Sequence, residues 1–264
     1  MRNSKRSRIG YGLIIVFTLG YLIASAVLAL MEGNKEFTFY LGVMLVLVAI
    51  VWSVDRAVVF SLGLLACLSL WGAMHMAGGL LPVPEAWPIN GDQRVVYSWW
   101  VVPFQLEGDR VTYGLKYDHL THGFGFGVMA WACWQALQTS IRRIMPNSKQ
   151  PARPTMIRMT LCFTAAMGFG AINEIIEFVA TTLGPTNVGG YINTSYDLIA
   201  NAVGAMLAVL LIALFRPRKV VEEDGTARGD QEERLPRDLG RDRRPPQDAR
   251  KRAEAVLREK RSGK

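Results

Sequence analysis

The chain has 264 residues, half of them apolar, and a mean hydropathy of +0.18. The apolar residues fall into long runs, several reaching the roughly 18–20 residues needed to cross about 30 Å of hydrocarbon, which excludes a soluble globule. The net charge of +8 is largely a property of the tail, where 16 basic and 11 acidic residues follow from Arg216 onward, so no specific nucleic-acid binding is expected.

In chain order the runs predict six spans, at about 9–31, 37–54, 57–79, 117–139, 157–182 and 196–215, of which only the second is short. The first resembles a signal peptide, with basic MRNSKRSR ahead of it and Ala24-Ser25-Ala26 like a cleavage site. Its apolar stretch outruns the 7–15 residues of a signal h-region and continues to Met31, which predicts an uncleaved anchor. Cys67, Cys133 and Cys162 lie inside apolar runs without paired spacing, so they suggest neither a disulfide framework nor a zinc ribbon. Lys and Arg are retained on the cytoplasmic side of short loops. Tail excluded, an inside N-terminus puts 10 basic residues on inner segments (Arg2, Lys5, Arg6, Arg8, Arg56, Arg142, Arg143, Lys149, Arg153, Arg158) and 4 outside (Lys35, Arg94, Arg110, Lys116). Both termini are therefore expected in the cytoplasm, in a multi-pass protein of the plasma (inner) membrane.

The long outer loop, 80–116, contains the apolar and aromatic stretch RVVYSWWVVPF and is expected to lie on the membrane. Trp87, Trp99 and Trp100 would sit in the headgroup layer or pack over the bundle mouth. From Arg216 the composition turns charged and poor in large apolar residues, which predicts a disordered tail over 216–264 with a short helix around 253–260. The expectation is an all-α polytopic membrane protein: a six-helix transmembrane domain over 1–215 and a disordered cytoplasmic tail.

A charged group inside a span costs roughly 2.5–3.5 kcal/mol on insertion scales, so each needs a reason. Span four opens with YDHLTHG, which sets Asp118 and His122 one turn apart. Span five holds Glu174 and Glu177 at i and i+3, span six holds Asp197 and Asn201 at i and i+4, and His75 lies near the end of span three. At 1.5 Å per residue, His122, Asn201, Glu177 and His75 all fall roughly 6–8 Å below the outer ends of their spans, and Glu174 about 12 Å below. Gly123 and Gly127, Gly170, and Ala200, Gly204 and Ala208 recur at four-residue spacing and allow close helix approach. Asp118 and Asp197 could each serve as a helix N-cap, and His119, about 100° off the His122 face, reads as an interfacial side chain. Glu174 and Glu177 are mid-helix and have no such role.

Four carboxylates with no fixed cation at their depth must share protons, bind a cation or be protonated. Three readings stay open: a divalent zinc, manganese or iron held by Asp118, His122, Glu174, Glu177 and Asp197, with His75 and Asn201 in support; a proton- or cation-coupled pathway; and a structural network of shared protons. In the first, Glu174, Glu177 and His122 are also the candidate catalytic groups, acting on an envelope lipid or other amphiphile from the outer leaflet. A small permease and a non-catalytic structural protein are the alternatives.

HMAGG at His75, YDHLTHG at Asp118 and His122, the Glu174–Glu177 pair and YDLIAN-x-x-GA from Tyr196 to Ala205 together resemble the YjdF-like bacterial inner-membrane proteins and, more distantly, the VanZ-like proteins. The resemblance covers roughly 70–212 and implies a membrane protein without an established function. The chain departs from the pattern after the paired glycines, where LLPVPEAW stands in place of an aromatic, Tyr-containing stretch.

Overall fold

The computed structural model describes residues 7–90, 93–105, 112–146, 152–183, 186 and 190–215. The tail expected to be disordered lies outside the described residues. Six long helices account for most of the rest: α1 Arg8–Met31, α2 Lys35–Val58, α3 Leu62–Leu80, α4 Tyr117–Ile144, α5 Met156–Leu183 and α6 Tyr191–Leu214. Side-chain caps cut the first three from a nearly continuous apolar sequence. Ser7 Oγ accepts from Gly10 N at 3.2 Å, Asn34 Oδ1 from Phe37 N at 3.0 Å and Ser61 Oγ from Leu64 N at 3.3 Å, each satisfying an orphan first-turn donor. α2 has 24 residues, longer than its expected span, because Asn34 starts it early and it runs on to a left-handed Val59 (φ 59°). The shortest helix is α3, with 19 residues.

Five helices, α1, α2, α3, α5 and α6, are long and apolar enough to cross a membrane. α4 is long enough at 28 residues but more polar. It packs against α3, α5 and α6, and its His119, Thr121 and His122 are buried. The large apolar side chains left exposed, such as Leu13 and Val16 on α1, Ile175 and Phe178 on α5 and Leu207 and Leu210 on α6, are those a lipid solvent would cover.

The most extensive helix contact is between α4 and α6. A Cβ at Gly204 would stand 1.8 Å from the carbonyl oxygen of Gly123, so only glycine permits this crossing. At the opposite end of α4 the turn between α2 and α3 is tied down. The Asp55 carboxylate accepts from Phe60 N at 2.9 Å, Ser61 N donates to Gln135 Oε1 at 2.9 Å, and Thr139 Oγ1 donates to Val58 O at 3.2 Å.

The segment between α3 and α4 corrects the all-helical expectation. It contains a 3-10 turn, Val96–Ser98, and an antiparallel hairpin of β1 (Trp100–Gln105) and β2 (Thr112–Lys116). Pro103 pairs with Gly114, whose φ of +136° and 2.0 Å approach of a built Cβ to Val102 O both demand glycine. Trp100 is buried against His119 of α4, and Trp87, 40% exposed, lies over Trp99 with ring centroids 4.3 Å apart.

Candidate functional site

The first turns of α4 and α6 and the last turns of α5 meet at one end of the bundle, and His122 of α4 sits at their centre, buried. Its ring presents a different nitrogen to each side. Nδ1 lies 3.1 Å from Asn201 Oδ1 of α6 and 3.8 Å from Glu174 Oε1 of α5. Nε2 lies 3.6 Å from Asp118 Oδ1, one turn back on α4, and 3.8 Å from Glu177 Oε1. Asn201 Oδ1 can only accept, so Nδ1 is the donor in that bond, and Nε2 faces the two carboxylates, bare in the neutral ring and a second N–H donor in the imidazolium.

Asp197 and Asn201 are both 0% exposed. Asp197 is not a cap, because α6 begins at Tyr191 and places it in the second turn. Asn193, one turn earlier, donates to Asp197 Oδ2 at 2.6 Å. Gly170 of α5 makes room for Asn201, since a Cβ there would come within 2.8 Å of its Nδ2. On α5, Asn173 donates to Glu177 Oε1 at 2.7 Å. Asp197 Oδ1 and Asn201 Nδ2 are buried without a hydrogen-bond partner among the described residues, a costly condition for polar atoms of this kind, and both oxygens of Glu174 are buried without a well-formed bond, with the Asn173 and Thr194 side chains beside them.

One fixed cation belongs to the cluster, which corrects the expectation of none. Lys116, counted from the sequence as an outer-loop charge, is buried; its Nζ lies 3.4 Å from Asp118 Oδ2 and donates to Asn193 Oδ1. Asp118 therefore stands in an ion pair, and the N-cap of α4 is Lys116, whose backbone N donates to His119 Nδ1 at 3.3 Å. His119, expected at the membrane interface, is buried between Trp100 and Tyr196. Against four carboxylates a single ammonium still leaves a deficit of positive charge.

Asp118, His122 and Asp197 form one group whose ligand atoms all lie within 4.8 Å of one another, and His122, Glu174 and Glu177 form a second. With metal–ligand lengths of about 2.0–2.2 Å, neighbouring ligands of a tetrahedral site sit about 3.4 Å apart. The separations of 3.6 and 3.8 Å around Nε2 are thus too long for hydrogen bonds and each is close to that edge length, Asp118 in the first group and Glu177 in the second. His75 stays outside both groups. Its Nδ1 shares a hydrogen bond of 2.5 Å with the Tyr97 hydroxyl, and its ring meets Tyr40 edge-on. Burial, then the charge of Asp118, hold Tyr97 protonated well above the ordinary tyrosine range.

Residues 13–218 match the model of a family described as predicted membrane protein (DUF2238). The chain belongs to that family. The match establishes an uncharacterised membrane-protein family and does not single out the YjdF-like or VanZ-like groups. No curated protein and no solved structure matches the chain.

Lys116, Asn193, Asn173 and Tyr97 escaped the sequence reading. The signals that could have found three of them are local: Lys116 two residues before Asp118, Asn193 one turn before Asp197, and Asn173 one turn before Glu177. Tyr97 carries no such signal, because the 3-10 turn that delivers it to His75 is a tertiary feature.

Proposed function

We propose that this is a six-span plasma-membrane protein, with α4 as the sixth span and both termini cytoplasmic, whose outward-facing carboxylate–histidine site holds a divalent metal and acts on an envelope lipid or other amphiphile. The observation that carries the reading is His122 shared by two sets of candidate ligands, Asp118 with Asp197 and Glu174 with Glu177, the ligand atoms of each set lying within 4.8 Å of one another, while Asn201 Oδ1 lies 3.1 Å from His122 Nδ1. A ligating histidine typically donates its other N–H to a neutral or anionic acceptor in this way. The buried oxygens of Glu174 and the unpartnered Asp197 Oδ1 supply further donors, and the charge deficit favours a divalent cation over bare carboxylates.

Zinc, manganese and iron fit this mixed oxygen and imidazole set. Bound there, the ion would supply Lewis acidity, Glu174 and Glu177 would serve as ligands or general base, and Asn201 would orient His122. The excess of basic residues on alternate loops supports the orientation that turns the cluster outward. The likeness to YjdF-like and VanZ-like proteins, resting on the same residues, fits an envelope role. Elemental analysis of protein purified in mild detergent tests the reading. Wild type should carry close to one equivalent of metal and Glu174→Gln clearly less; no metal in either would contradict it.

A further inference from the structure

A cavity of about 320 Å³ lies between α1, α2 and α3, and it also touches Asn173 and Ile176 of α5. It extends from Trp52 and Asp55, near the C-terminal end of α2, to Tyr40 and His75. Along α2, from Tyr40 to Asp55, this is about 22 Å at 1.5 Å per residue, which runs past the middle of about 30 Å of hydrocarbon and is long enough to take an acyl chain lengthwise. Its wall is almost wholly apolar. Thr18 and Ser69, polar residues in that wall, bond each other at 2.6 Å.

The end near His75 differs. Asn173 lines the cavity and donates to Glu177, so the apolar space ends against the carboxylate cluster. Tyr40 lines the same end, and its hydroxyl is buried without a hydrogen-bond partner among the described residues. A buried phenol in that position requires an acceptor, and pure hydrocarbon supplies none. A free fatty acid would add a fifth carboxylate to a cluster whose four carboxylates already exceed the charge of Lys116 and one divalent ion, whereas a neutral ester carbonyl adds no charge.

We infer that this cavity binds one acyl chain of an ester lipid, with the ester carbonyl hydrogen-bonded to Tyr40 and the head beside the carboxylate–histidine cluster. The inference rests on the reading of that cluster as a site for an amphiphile, and it names the amphiphile's apolar part and its linkage.

The test uses full-length protein in maltoside micelles and a monoacylglycerol with a photoactivatable diazirine at the end of its chain, adducts being mapped by peptide mass spectrometry. Labelling should saturate, fall on Val48 and the buried Leu65, and be displaced by unlabelled monoacylglycerol at concentrations where the free acid of equal length has no effect. Val48→Trp, which fills the cavity, should abolish it. Tyr40→Phe, which removes one oxygen and leaves packing intact, should weaken apparent affinity about fivefold, the equivalent of one net hydrogen bond. Unsaturable labelling spread over lipid-facing Leu207 and Leu210 would mean bulk amphiphile only and would overturn the inference. Equal displacement by the free acid, or an unchanged affinity in Tyr40→Phe, would overturn the ester assignment. Metal content of the same preparation separates the two readings: saturable labelling of metal-free protein keeps the lipid site and removes the metal centre, and metal without saturable labelling does the reverse.

Discussion

Replacing Gly204 by alanine should separate α4 from α6 and disturb the cluster that their crossing assembles. The added Cβ would stand 1.8 Å from Gly123 O and 2.5 Å from Gly123 C, both backbone atoms that cannot rotate away. Ordinary contact begins near 3.4 Å, so the helices must part by roughly 1.6 Å. Overpacking of this kind costs typically about 1–3 kcal/mol. The same movement carries Asn201 Oδ1, now 3.1 Å from His122 Nδ1, beyond hydrogen-bond range and removes an interhelical bond worth about 0.6–1 kcal/mol in a membrane. Together these give a loss of about 2–4 kcal/mol. Two neighbours on the same seam grade the effect. An alanine Cβ at Gly127 would meet Gly204 O at 3.0 Å and should cost an intermediate amount, whereas one at Gly123 would meet Ala200 O at 3.4 Å and should lie within about 0.5 kcal/mol of wild type. Equilibrium unfolding in mixed dodecyl sulfate and maltoside micelles measures all three. Equal stability of Gly204→Ala and Gly123→Ala would refute the seam geometry, and with it the closeness of His122 to Asn201.

Two further predictions concern orientation and the histidine. Reporter fusions at Asn147 and Gly225 should read cytoplasmic and those at Glu107 and Asn187 external; a cytoplasmic signal at Glu107 would sink the six-span arrangement. Asn201→Leu, which removes the acceptor for His122 Nδ1, should lower metal affinity about 10–100-fold in competition with a chromogenic chelator, the usual cost of losing an orienting partner. Unchanged affinity would mean that Asn201 does not set the tautomer.

Helices and their misplaced polar residues were legible in the sequence for the same reason: hydrocarbon tolerates only long apolar runs, so Asp118, His122, Glu174, Glu177 and Asp197 stood out against them. Their grouping could be anticipated from depth and from the glycines at 123 and 204, because both follow from helical rise and spacing. The hairpin could not. Its strands are brought together across 106–111, and β1 has the same apolar-aromatic composition as a membrane-surface segment. Lys116 was misread because a lysine one residue ahead of a helix is ordinarily solvated; here Asn193 receives it, in a first turn of α6 that lies ahead of the apolar run. His119 stays outside both ligand groups, but its angle on the helix did not reveal that the ring turns inward to accept from the Lys116 backbone N–H.

The most direct test of the central claim compares melting temperatures with and without chelator for wild type and for the double variant Glu174→Gln, Glu177→Gln. Glutamine keeps size and hydrogen-bonding capacity but removes both anionic ligands, and a ligand bound only by the folded state stabilises it by mass action. The metal-site account predicts that chelation lowers the wild-type melting temperature and leaves the double variant unmoved, near the chelated wild-type value. A wild-type melt unchanged by chelator, in protein that carries no metal, would contradict the account and leave four carboxylates balanced by Lys116 and shared protons.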